Sequence, residues 1–98
     1  MKAKLIAPLD RCQKRTESQI QTAIRNKLIK QGWLIIKLIQ TSFNGVPDLL
    51  CLKDGKAVFI EVKKVNGKAS PLQMHRHDQL RKAGFEVYLI DDEKKITM

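Results

Sequence analysis

The segment Gly45–Lys64, GVPDLLCLKDGKAVFIEVKK, constrains this chain most, because an Asp54-Gly55 dipeptide sits between two apolar runs. That dipeptide favours a two-residue type I′ turn, whose residues both need positive φ. The segment therefore reads as a β-hairpin with Leu49–Leu52 and Ala57–Val62 as its arms. A two-residue loop pairs Lys53 with Lys56, and counting outward sets Asp48 opposite Glu61. Side chains alternate along a strand, so Lys63 projects from the same face as Glu61. Two carboxylates and an ammonium converge on one patch. Directly opposed Cβ atoms lie ~5 Å apart and like charges there repel. At an effective dielectric near 20 the repulsion is on the order of 3 kcal/mol. A divalent cation would turn that liability into a binding site.

The hairpin is apolar on both faces, with Leu50, Leu52 and Phe59 on one and Leu49, Cys51, Val58, Ile60 and Val62 on the other. Such a hairpin is expected to be central and covered on both sides. Thr16 through Gln19 fits a capping box, and Ile20, Ala23, Ile24 and Leu28 then form a helical stripe ending near Gly32. Glu17 lies three residues before Ile20, so it is expected to continue that stripe toward the core rather than face solvent. An acid in the first turn is also favoured by the helix dipole. Trp33–Ile39 reads as a strand, with Trp33 in the core or at an interface, and Thr41–Pro47 as a loop. Ser70-Pro71 opens a second helix that runs to about Ala83 and stops at Gly84. Gln73 lies three residues after Ser70, so it can close a second capping box. Phe85–Ile90 reads as a further strand, and Lys95–Met98 as a short edge strand. The order α-β-β-β-α-β predicts an α/β sandwich around a central mixed sheet flanked by helices.

At 98 residues the chain is expected to be a basic N-terminal arm, 1–15, and a single domain, 16–98. Nineteen Lys and Arg against ten Asp and Glu give a net charge of +9, which favours a polyanionic partner, nucleic acid above all. The longest apolar runs are far too short for a membrane span or a signal peptide. Cys12 and Cys51 lack zinc-type spacing, so reduced thiols in a cytoplasmic protein are the expectation. His75 and His77 are two positions apart, on different sides of a helix, and do not form an i, i+4 ligand pair. They read as surface or DNA-facing residues. Lys64, Lys68, Arg76 and Arg81 are candidates for sequence-independent phosphate contacts.

Pro47-Asp48 followed by Glu61-Val62-Lys63 resembles the PD-(D/E)xK nuclease superfamily. The finer resemblance is to its virus-type replication-repair nuclease (VRR-NUC) domain. It is carried by Gly45-Val46-Pro47-Asp48, Phe59-Ile60-Glu61-Val62-Lys63-Lys64, Ser70-Pro71-Leu72-Gln73 and Gly84-Phe85-Glu86-Val87, with Glu17 at the N-terminal acidic position. The resemblance implies a restriction-endonuclease-like fold and a magnesium or manganese ion held by Asp48, Glu61 and the Val62 carbonyl, with Glu17 in support. It further implies Lys63 as the catalytic lysine and Gln73 as an active-site helper on the second helix. The implied activity is hydrolysis of phosphodiester bonds in branched double-stranded DNA. A homodimeric Holliday-junction resolvase is the leading form. A nuclease for flaps or nicked DNA and a non-cleaving DNA-binding protein on a degenerate nuclease fold are the alternatives.

Overall fold

In the computed structural model, residues 15–98 are described. Two helices and four strands follow in the order α1 (Glu17–Lys30), β1 (Leu34–Lys37), β2 (Leu49–Lys53), β3 (Lys56–Val62), α2 (Pro71–Lys82) and β4 (Glu86–Ile90). A 3-10 turn, Glu93–Lys95, closes the chain. The expected arm, apart from Arg15, lies outside the described residues.

The hairpin turn is the local event that organises the sheet. Asp54 and Gly55 take φ of 51° and 77°, both in the left-handed region that a type I′ turn requires. The register is the one the turn predicts: Lys53 faces Lys56, Cys51 faces Val58 and Leu49 faces Ile60. β1 adds antiparallel to β2, and Leu38 N–H extends that pairing by donating to Asp48 O at 2.8 Å. β4 adds on the other side, parallel to β3. Parallel neighbours need a crossover, and α2 supplies it. The sheet order is β1-β2-β3-β4, a mixed sheet with two helices, which bears out the expected fold class.

Both helices begin with the capping boxes read from sequence, Thr16 with Gln19 and Ser70 with Gln73. α1 turns Ile20, Ile24 and Leu28 onto one face of the sheet, where they meet Leu49, Cys51, Val58, Ile60 and Val62. All eight are fully buried, and they form the centre of the core. Trp33 joins this core, and Lys53 stacks its ammonium 5.9 Å from the indole while donating to Gln31 O.

Four expectations need correction. The strand expected over Trp33–Ile39 is confined to Leu34–Lys37, because Trp33 turns into the core to close α1 and Leu38 leads into the loop. The last strand starts at Glu86, since Phe85 N–H still caps α2 at Leu80 O. The tail forms no strand. Asp92 caps the 3-10 turn and Ile96 drops into the core instead. Finally, the hairpin is not covered equally on both sides. α2 reaches the second face only around Glu61 and β4, so Leu50, Leu52 and Phe59 stay half-buried, while Leu34 and Ile36 of β1 are 61% and 40% exposed.

Ile24 is fully enclosed by the strongest part of this core, so Ile24→Ala leaves a cavity that the sheet cannot collapse to fill. The expected cost is ~2–5 kcal/mol, read as a lower urea midpoint with an unchanged slope.

Candidate active site

The hairpin brings its two acids together as the turn chemistry requires. Asp48 stands just ahead of β2, after the buried Pro47. Its Oδ2 accepts the Val62 backbone N–H at 2.8 Å, which ties the carboxylate across to the end of β3. Glu61, one residue earlier on β3, is 1% exposed and is the sole buried acid among the described residues. Lys63 continues the strand alternation onto the same face and is half-buried; its N–H pairs with Ile90 O. The turn beyond it folds back, with Gly67 N–H donating to Lys64 O. A Cβ at Gly67 would lie 2.9 Å from that oxygen and 3.2 Å from Lys63 Cβ. A glycine there lets the turn close tightly on the stem of Lys63.

α2 supplies the partners of Glu61. Gln73 Nε2 donates to Glu61 Oε2 at 3.3 Å, while Gln73 Oε1 accepts the Ser70 backbone N–H. The helix cap and the contact to the acid are therefore two ends of one amide. His77, one helical turn on, places Nε2 3.1 Å from Glu61 Oε1. This overturns the reading of His77 as a surface residue: it is 3% exposed, inside the site. His75 is exposed, as expected. Gln73 and His77 are spaced i, i+4, so they share a helix face. Once Gln73 was aimed at Glu61, that spacing was the signal that His77 would follow.

Glu17 requires a second correction. It is exposed rather than turned into the core, because the buried stripe of α1 begins at Ile20. It is still near enough for its charge to act on Glu61. Among the described residues no three His, Cys, Asp or Glu side chains converge as a ligand cluster. The oxygen donors at the site are thus two carboxylates and the backbone of β3.

The electrostatics of Glu61 follow from its position. Burial, first, and then the charge and hydrogen bonding of Asp48 push its pKa up to about 8, with Lys63 opposing. Burial also lowers His77, helped by the charges of Arg81 and Lys63. Burial disfavours both charges, so without a cation the Glu61–His77 contact is a hydrogen bond between neutral groups.

The expected phosphate-contacting residues divide into two kinds. Lys64 and Lys68 are exposed and free to meet a polyanion. Arg76 and Arg81 are held within the fold: Arg76 donates to Asn44 O and Gln79 Oε1, and Arg81 to Val87 O. The charge of Arg81 reaches His77 in the site, and the donors of both arginines are partly committed.

The buried proton has a measurable consequence. Glu61 is raised from 4.5 to about 8 on folding, so its contribution to stability is complete below pH 4.5 and lost as pH rises through about 8. His77, lowered from 6.5, acts in the opposite sense and is spent above that value. Between pH 6.5 and 8 the metal-free protein therefore loses stability, at most about 2 kcal/mol. In Glu61→Gln the slope disappears. Thermal melts in EDTA across that range check both outcomes.

Known proteins place this arrangement. The VRR-NUC domain family matches residues 2–91, which takes in the strand-borne acids, Lys63 and the whole of α2. A phage protein named "Putative nuclease p44", from Acyrthosiphon pisum secondary endosymbiont phage 1, is 31% identical over 78 residues, covering 79% of this chain and 84% of its own. A solved structure titled "VRR_NUC domain" superposes with a TM-score of 0.74 at 32% identity, over 83% of this chain and 90% of that one. With the family match spanning nearly the whole sequence and the fold shared at that level, the chain belongs to the VRR-NUC family of nuclease domains.

Proposed function

We propose that this nuclease is a magnesium- or manganese-dependent endonuclease selective for branched DNA, acting as a homodimeric Holliday-junction resolvase. The observation that carries the reading is the buried Glu61 set against Asp48, with Lys63 on the same face. A protein that only binds DNA has no use for opposed acids whose repulsion it must bear.

The residues present suit a hard divalent cation. Magnesium takes oxygen ligands and uses one or two protein carboxylates, retaining several waters. Asp48, Glu61 and the Val62 carbonyl would hold it, in place of the proton that burial first and then the Asp48 charge keep on Glu61. When bound, it supplies Lewis-acid neutralisation of the phosphoryl oxygens and a more acidic water. Gln73 and His77 fix Glu61 through its two oxygens. Asp48 keeps its orientation through the Val62 N–H. Lys63 orients the attacking water or stabilises the charge that develops on the phosphate. Lys64 and Lys68, with the other surface cations, supply sequence-independent affinity.

Symmetry supports the resolvase form. A four-way junction needs two nicks related by a two-fold axis, and each chain carries one such site. The uncovered apolar face, with Leu34, Ile36 and the half-buried Leu50, Leu52 and Phe59, favours association in pairs. Cleavage of flaps or nicked duplex is the second reading, and it fits a monomer better.

Asp48→Asn retains an oxygen for the Val62 N–H but removes the charge, so it should fold and fail to cut. A loss of several kcal/mol of transition-state stabilisation corresponds to at least ~1,000-fold in rate. Lys63→Ala should lose cleavage yet keep DNA binding, whereas Lys64→Ala, on the opposite side of the strand, should be mild. Initial rates with magnesium and binding titrations without it measure the contrast; near wild-type cutting by Asp48→Asn would mean the metal site is misassigned.

The junction reading has its own test. Light scattering at micromolar concentration should show a dimer without DNA, and mapped products should show paired symmetric nicks on a four-way junction. A monomer that nicks one strand per binding event transfers the assignment to flaps or nicked DNA.

A further inference from the structure

Phe43 is an anomaly of placement. It is 62% exposed, in the loop between β1 and β2, and Ile39 beside it is 85% exposed. An aromatic ring at the tip of a slack loop would need no explanation, but this loop is held at several points. Thr41 Oγ1 donates to Phe43 O at 2.7 Å, and Arg76 Nε donates to Asn44 O at 2.8 Å. Gly45, at φ +82°, lies so close to α2 that an added Cβ would be 2.9 Å from Leu72 Cγ and 3.0 Å from Leu72 O. The ring is therefore presented to solvent by a loop docked onto the helix that also carries Gln73 and His77.

The ring also faces something. The loop lines an open, polar cleft of about 310 Å³ whose wall includes Leu38, Gln40, Thr41, Phe43, Asn44 and Asp48. An acid of the candidate metal site and an exposed aromatic ring thus share one concavity. Arg76 places its guanidinium 4.7 Å from the ring centroid, so the ring is backed by a cation. A phenyl ring held in this way offers a planar apolar surface beside the position a scissile phosphate would take.

We infer that the loop cleft is a nucleobase subsite, in which Phe43 stacks on an unpaired or unstacked base of branched DNA adjacent to the cleaved phosphate. The inference rests on the nuclease reading and adds to it the feature of the substrate that is recognised. Within a continuous duplex both faces of each base are occupied by their neighbours, and the ring has nothing to stack on. At a branch point or an unpaired stretch a base face is available. Stacking is tolerant of base identity because every base has a π-face. The cleft would thus select DNA for local unstacking without reading its sequence. Arg76, whose Nε and Nη1 are committed to Asn44 and Gln79, acts as a positioning residue for the ring in addition to any charge it lends.

The test removes each partner of the stack in turn. Binding is measured by titration in the Asp48→Asn background, so that no DNA is cut. The probe is a branched DNA with unpaired nucleotides at the branch and an abasic residue moved through them one position at a time. Phe43→Ala should weaken binding to the intact DNA roughly 10- to 100-fold. At one position, loss of the base should weaken the Phe43-containing protein by a similar factor. Combining the two changes should cost no more than either alone. Phe43→Trp should bind as tightly as Phe43. Independent, multiplicative losses, or no effect of Phe43→Ala, would overturn the inference. So would a Phe43→Ala protein that loses affinity together with a lower melting temperature or an altered size in solution, which would make the ring structural or interfacial. The nuclease reading is judged separately, by whether the wild-type protein cuts this DNA with magnesium or manganese.

Discussion

A single register governs this molecule. The Asp54-Gly55 turn sets Lys53 against Lys56, and that count carries Asp48 to the position facing Glu61 at the far end of the hairpin. A slip of one residue would turn Glu61 and Lys63 into the core and Ile60 and Val62 out of it. The apolar residues that meet α1 therefore enforce the same alignment that assembles the acids. The Asp48 Oδ2 bond to Val62 N–H closes the arrangement where the two arms diverge. Core packing and site geometry are one constraint seen from opposite faces of the sheet.

Burying Glu61 is expensive, and the structure shows how that cost is met. Each of its oxygens has a partner from α2, Gln73 for one and His77 for the other. Without a cation the cheapest state keeps a proton on the acid, since burial and Asp48 both oppose its ionisation. On the proposed function, a divalent ion held by Asp48 and Glu61 would take the place of that proton. The same helix holds the β1–β2 loop through Arg76 and Leu72. One helix thus links the acid, its hydrogen bonds and the cleft beside it, although its only buried side chain is His77. α2 is kept in place by polar contacts and by β4 more than by an apolar stripe.

The uncovered part of the sheet has a geometric origin. The one crossover helix must serve the parallel β3–β4 connection, so it lies toward that edge and leaves β1 and the turn end of the hairpin bare on that face. Among the described residues no further helix covers them. The larger apolar residues left there are half-buried or exposed, which is the usual character of a surface that meets a partner.

The capping boxes, the I′ turn, the apolar stripe of α1 and the α-β-β-β-α-β order were legible in the sequence because each is decided by neighbours a few residues apart. The Asp48–Glu61 opposition was legible for the same reason, since a two-residue turn converts sequence position into register. Three features were not. Glu17 lies on the extension of a buried stripe, but the burial of α1 begins only at Ile20, so the carboxylate meets water. The tail has the composition of a strand, yet Ile96 finds the core and Asp92 caps a turn, contacts that only the packed α1 and β4 make available. His77 has only its i, i+4 spacing from Gln73 to mark its role, since a histidine on a polar helix otherwise reads as surface. It became part of the site when the crossover laid that helix over Glu61. Local chain chemistry determined the elements and the register of the hairpin. The packing of helices onto the sheet decided which side chains surround the acid, because those distances depend on residues far apart in the chain.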